Sequence, residues 1–256
     1  MSQSQRYTCN NPYCDDVFAP DMYNAPSDNT TAIIIDSQAA LQYHLDVAAR
    51  LDVHPQFSSA ILTGITLDHL DLTRANFDST VLYNVSFVNC NLTRANFKHA
   101  TMHNVDFIES RLDEARFDSA HMDTTEFRHC HMQDAHLTHN ISYATRFENT
   151  TGSMHLSNSH MMAARIIHCH FDHITAKKTA LLHPYITDTA IGTATFDNCS
   201  FLYTTLRQPS INTLTIAHSN GDIAYANARV NAYTHHRNDI VFDEFEHTQL
   251  KYGETL

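Results

Sequence analysis

The sequence predicts an all-β chain wound as a four-sided solenoid of about eight coils. Three observations point there. From Leu67 a large apolar residue returns at every fifth position: Leu67, Leu72, Phe77, Leu82, Phe87, Leu92, Phe97, Met102, Phe107, Leu112, Phe117, Met122, Phe127, Met132 and Leu137, with a break at Ser142 and resumption at Phe147. A second, smaller series runs two positions ahead of it, including Ala75, Thr80, Val85, Cys90, Ala95 and Ala100. And LTRANF at 72–77 recurs at 92–97, twenty residues later.

A period of five fits neither the 3.6 of a helix face nor the 2 of a plain strand. It fits a chain that turns a corner every five residues and sends one large and one small side chain inward from each side. Four sides then make a coil of twenty. Sorted at that interval, one column reads Leu67, Phe87, Phe107, Phe127, Phe147 and the next Leu72, Leu92, Leu112, Met132. The third reads Phe77, Phe97, Phe117, Leu137 and the fourth Leu82, Met102, Met122, Ser142. Phe keeps to alternate columns, which a bare five-residue repeat would not require.

Taken in order, residues 1–35 form a polar segment rich in Asn, Ser, Asp and Pro, expected to be mobile. Residues 36–59 carry SQAALQYHLDVAARL, which places Leu41, Leu45 and Ala48 on one helical face with Asp36 or Ser37 as the cap. This is the expected N-terminal helical cap over the open end of the stack, where exposed strand edges invite association. Residues 60–221 are the repeat region. Its frame slips by one residue near NTTGSMH and continues at Leu156, Met161, Ile166 and Phe171, then from Ile186 to Ile216. In AKKTALLHPY, Ala176 stands where a large residue is due and Pro184 takes an inward position, so an irregular side or small protrusion is expected there. Residues 222–256 are read as a C-terminal cap or dimerisation tail.

The pattern resembles the pentapeptide-repeat family, whose consensus is A(D/N)LXX; ANF at 75–77 and 95–97 and VDF at 105–107 are close matches. The resemblance implies a right-handed, four-sided parallel β-helix. It also implies that the C-terminal end of the stack forms a two-fold homodimer.

The chain carries a net charge of −12. Residues 1–60 hold seven acids and two bases, 61–221 fifteen and eleven, and 222–256 six and three, so most of the excess acid lies at the ends. No basic stripe argues for direct nucleic-acid binding. No apolar run approaches a membrane span. The polar N-terminus does not read as a Sec-type signal peptide, leaving the bacterial cytoplasm, or delivery into a host cell by another route, as the expected location.

Cys90, Cys130, Cys169 and Cys199 fall in the small inward series and read as buried apolar groups. Cys9 and Cys14 lie outside the repeats, and their state is open among thiols, a disulfide and a metal site. HCH occurs at 129–131 and 168–170, with His129 and His168, and His131 and His170, expected on the same side two coils apart; His136 and His155 are candidates to stack. These outward imidazoles are candidate metal ligands or pH sensors, or solvated positions in a chain holding twenty His. There is no Gly-rich phosphate loop, G-x-S-x-G or H-E-x-x-H motif, and no catalytic residue, cofactor or enzymatic activity is expected. The structural stack is expected in Phe77, Phe87, Phe97, Phe107, Phe117, Phe127 and Phe147.

Two functions follow from the resemblance. The first is a non-enzymatic scaffold that binds a protein partner, including a secreted bacterial effector. The alternative is a DNA mimic that binds or protects a topoisomerase such as gyrase. The second needs dense negative charge along the rod, since DNA carries about one charge per 1.7 Å.

Overall fold

The computed structural model describes residues 33–236 and 239–246. Cys9, Cys14, the expected N-terminal leader and the last ten residues of the C-terminal tail lie outside them. The described chain is a parallel β-solenoid of about nine turns with one N-terminal helix.

The helix, α1 (Gln38–Leu51), begins where Ser37 Oγ accepts a hydrogen bond from the Ala40 N–H at 3.3 Å. It ends at Asp52, whose left-handed backbone lets its N–H reach back to carbonyls of the last turn. Leu41 and Ala48 are buried, and Leu45 packs against the core with them, as their spacing predicts. Beneath the helix the strand Ile34–Ile35 pairs with Ile61–Leu62, so the chain makes a first rung, inserts the helix, and then winds.

Among the described residues every strand pairing is parallel, and registers are twenty residues in the first half: Val81↔Thr101, Leu82↔Met102, Val85↔Val105, Phe87↔Phe107. The corners explain the short sides. Residues two past most large apolar positions, such as Ser79, Arg94, Glu114 and Asn149, sit at φ between 48 and 60. A left-handed non-glycine residue costs roughly 1 kcal/mol or more. Each of these donates its own N–H to the coil above (Ser79 to Lys98 O and Arg94 to Asp113 O, both at 2.8 Å), which offsets that cost. A chain with only five Gly can therefore turn every fifth residue.

The core is the two apolar series. Phe77, Phe97 and Phe117 stack at 4.6 and 5.0 Å, and Phe57 extends their column downward at 4.8 Å. Phe87, Phe107, Phe127 and Phe147 form the facing column at 4.9 Å spacing. Rings of the two columns meet edge to face across the axis, at 5.5 to 5.8 Å.

The one-residue slip sits at Gly152–Met154, where Gly152 pairs with Met132 but Met154 with Ala135. Gly152 has φ +126, and a Cβ there would lie 2.5 Å from the Met132 carbonyl carbon, so the shortened side needs glycine. A second slip, not anticipated from the sequence, lies between Phe201 and Thr204, with Gly221 at φ +121 against the Phe201 carbonyl oxygen.

The expected protrusion near Ala176 and Pro184 does not occur. His160↔Ala180, Tyr185↔Arg165 and His170↔Ala190 keep the winding regular through it. Pro184 occupies the small inward position, where the equivalent N–H of Ala75 bonds only within its own corner and those of Cys90 and Asn140 go to side-chain hydroxyls. A missing N–H there breaks no backbone bond between coils, though it leaves Thr204 Oγ1 without a donor, and the Pro184 carbonyl still accepts from the Thr205 N–H at 2.9 Å. The winding also runs past 221. Arg229–His236 pairs over Ser210–Ala217, and Asp239–Glu246 over Asn220–Ala226, so the described part of the expected tail is itself coiled.

Candidate interaction face

Outward side chains form ladders, because each stands over its equivalent in the next coil. The histidines follow this rule. His131 pairs with Thr151 and Thr151 with His170, so one residue separates the two imidazoles. His129, Asn149 and His168 are successive left-handed corners at φ 54, 50 and 52. Seven of the twenty His, at 69, 99, 129, 139, 168, 183 and 218, hold such corners, a backbone state in which Asn, Asp and His are enriched. Part of the His-rich composition thus has a structural cause.

Three of the four singled-out imidazoles pair with an aspartate: His131 Nδ1 with Asp113 Oδ1 at 2.5 Å, His168 Nε2 with Asp188 at 3.6 Å, and His170 Nε2 with Asp172 at 4.0 Å. Among the described residues, no three His, Cys, Asp or Glu side chains converge as a metal-holding group. His136 and His155 do meet, with ring centroids 5.1 Å apart. Burial, then the neighbouring His136, holds the His155 imidazole below its ordinary pKa.

The four described cysteines are buried and free. Burial pushes the Cys130 thiol up to about 12 and Cys169 to about 11. Cys130 Sγ donates to the Phe107 carbonyl at 3.3 Å and Cys90 Sγ to that of Leu67 at 3.2 Å. They are core groups, not nucleophiles.

Acids along the stack are matched by bases. Arg94 grips Glu114 with two bonds of 2.8 and 2.9 Å. Arg116 meets Asp118, Arg146 meets Glu148, and Lys177 and His218 share Asp197. Asp113 is nearly buried; burial alone would raise its carboxyl, but the Gln133 N–H, Arg111 and His131 hold it below the usual range.

One ladder differs. Tyr143↔Met162↔Leu182↔Leu202 run over one another on the outer surface of a single side. Beside them the corner positions are Ala144, Ala163, His183 and Tyr203, the last two stacked at 4.7 Å. Leu202 is 39% and Tyr203 60% exposed. Below this stretch the same ladder carries Tyr83, His103 and Asp123, with His103 stacked on Tyr83 at 5.1 Å and bonded to Asp123 at 2.7 Å. The sequence reading followed inward positions and missed this outward apolar run. Its signal was the residue after each fourth-column member, read across the slip.

The family model described as "Pentapeptide repeat region" matches residues 80–153, and "Pentapeptide repeats (8 copies)" matches residues 56–89. The chain is a pentapeptide-repeat protein. Among solved structures it is similar to HetL, a pentapeptide repeat protein involved in heterocyst differentiation regulation from the cyanobacterium Nostoc sp. strain PCC 7120. The two share 16% identity over 78% of this chain and 92% of HetL, with a TM-score of 0.47. It is also similar to QnrB1, a plasmid-mediated fluoroquinolone resistance protein, at 13% identity over 67% of this chain and 92% of that one, with a TM-score of 0.30. Among curated proteins, none matches this chain.

Proposed function

We propose that this pentapeptide-repeat protein is a non-enzymatic scaffold that binds a protein partner, and that the outward ladder Tyr143–Met162–Leu182–Leu202 is its contact face. The observation that supports this is the ladder itself: four apolar side chains in register on a flat parallel side, with exposed Tyr203 at its corner. Leu202 and Tyr203 are exposed and Tyr143, Met162 and Leu182 half-buried, and a contiguous run of apolar side chains that reaches solvent marks an interaction site. The faces of a stack also lack the depth that small-molecule chemistry favours.

The test is a paired capture experiment. The wild-type chain, a Leu182→Asp/Leu202→Asp variant and a Thr193→Asp control on another side are immobilised and exposed to the same extract. A partner held by wild type and control but lost by the double variant supports the face. Equal capture by all three refutes it. The alternative, a DNA mimic that binds gyrase, finds less support in the charge pattern, because Arg or Lys pairs with Asp106, Asp113, Glu114, Asp118, Glu126, Glu148 and Asp197 along the stack. Inhibition or protection of gyrase supercoiling by micromolar protein would restore it. Delivery as an effector rests on residues 1–30; a chain lacking them should fold unchanged and fail to be delivered.

A further inference from the structure

One winding departs from the rule that inward hydroxyls find backbone carbonyls. In most other windings the rule holds: Thr80 donates to Phe77 O at 2.7 Å, Ser110 to Ile108 O at 2.9 Å, Thr150 to Phe127 O at 3.0 Å, and Ser159 to Leu137 O at 2.6 Å; Thr204 Oγ1, which follows Pro184 by one coil, is a single orphan hydroxyl elsewhere among the described residues. In the winding through 140–147, three successive inward positions are polar: Asn140, Ser142 and Thr145. They are 1%, 2% and 0% exposed. Asn140 Oδ1, Ser142 Oγ and Thr145 Oγ1 each lack a hydrogen-bond partner. Thr125 Oγ1, in the winding below, is also buried without one. Thr125 and Thr145 are equivalent positions of adjacent coils, since Arg146 pairs with Glu126 and donates its N–H to the Thr125 carbonyl at 2.9 Å.

Space accompanies the polarity. Ser142 is registered between Met122 and Met161 in a column that, from Leu62 to Phe201, is otherwise filled by Leu, Met or Phe. The ladders on both sides fix the coil spacing, so the neighbours cannot close over the smaller side chain. A serine in a methionine-sized place leaves room on the order of one or two water molecules, at ~30 Å3 each. A buried polar atom left unpaired is rare and costly, and four of them on two adjacent windings, beside an undersized inward residue, point to shared water rather than four independent losses. The chemistry fits. Water can donate to Asn140 Oδ1 and both donate to and accept from the three hydroxyls, which meets the two to four partners an internal water needs.

We propose that this winding encloses an internal water site, held by Asn140, Ser142, Thr145 and Thr125, one side before the slip at Gly152. The polar plug stands where the chain leaves its twenty-residue register. A water, unlike a fixed side chain, can satisfy these groups without demanding a particular packing from the shortened side above.

Two measurements on the full chain test it. A high-resolution crystal structure is expected to show a solvent peak within roughly 2.6–3.2 Å of at least two of the four atoms. Thr145→Val is expected to lower the melting temperature by about 2–4 °C, because a methyl removes one of the water's partners. A dry pocket in the wild-type crystal overturns the proposal. So does a Thr145→Val variant that melts higher than wild type, since that is the response of a hydroxyl with nothing to bind. If Thr145→Val does not fold, Ser142→Ala preserves the pocket, and its crystal structure must retain the peak; loss of all solvent there also overturns the proposal.

Discussion

Replacing Phe107 by alanine probes the stack at its most constrained point. Its ring is fully buried, lies parallel to Phe87 and Phe127 at 4.9 Å on either side, and meets Phe97 and Phe117 edge-on at 5.6 and 5.8 Å. Phe→Ala in a core costs about 3–5 kcal/mol, and the spread reflects how far the site can collapse. Here collapse is resisted, because Phe87, Phe107 and Phe127 belong to strands paired in register and held at the strand spacing of ~4.8 Å. The lost ring contacts add to the transfer term. The expected cost therefore lies near the top of that range, at about 5 kcal/mol. Urea unfolding followed by circular dichroism reads it as a lower midpoint at unchanged slope. The control is His170→Ala on the outer surface, expected within ~0.5 kcal/mol of wild type. His131 is the poorer control, although its outward position makes it look neutral, because it bonds the nearly buried Asp113. Equal costs for Phe107→Ala and His170→Ala would refute the assignment of inward and outward positions.

Other outcomes follow from the same geometry. Gly152→Ala should destabilise by at least about 2 kcal/mol, because its φ of +126 and the 2.5 Å approach to Met132 both exclude a Cβ. Gly64→Ala should cost less, about 1 kcal/mol from the left-handed backbone alone, since Gly64 has φ +63, close to what non-glycine corners adopt here, and no atom lies within 4 Å of its added Cβ; a melt of the pair checks both. Cys130, with its thiol pushed up to about 12, should resist a maleimide in the folded chain at about pH 8 and react once unfolded; rapid native labelling at Cys130 would contradict its placement. His155 is held below the ordinary imidazole value by burial and by His136, so the unfolded chain binds its proton more readily. Its contribution to stability is present above that ordinary value and falls as pH drops from about 7 to about 5. Melting temperatures of wild type and His155→Gln across that window should converge toward acid, and parallel curves would count against the shift.

The Phe columns were legible because their cause is local and periodic. A corner every five residues forces one large inward side chain per side, and the interval of twenty follows once four sides close. Helix α1 was legible for the same reason: Leu41, Leu45 and Ala48 share a face and Ser37 precedes them. The slip near 152 could be read because the series visibly changed phase. The slip at Gly221 could not, since the apolar series had thinned there and Gly221 leaves its own column empty. Pro184 looked disruptive only because the sequence does not say which N–H groups a ladder uses.

The sequence alone therefore determined the periodicity, the inward and outward sets and the stacking order, since these depend on residue size at fixed intervals. Only the tertiary structure decided which outward residues stand together. Whether His131 lies in one ladder with His170 and whether Leu182 lies over Met162 depend on where a coil loses one residue. A single-residue slip shifts every later register by one, and with it every neighbour across the coils.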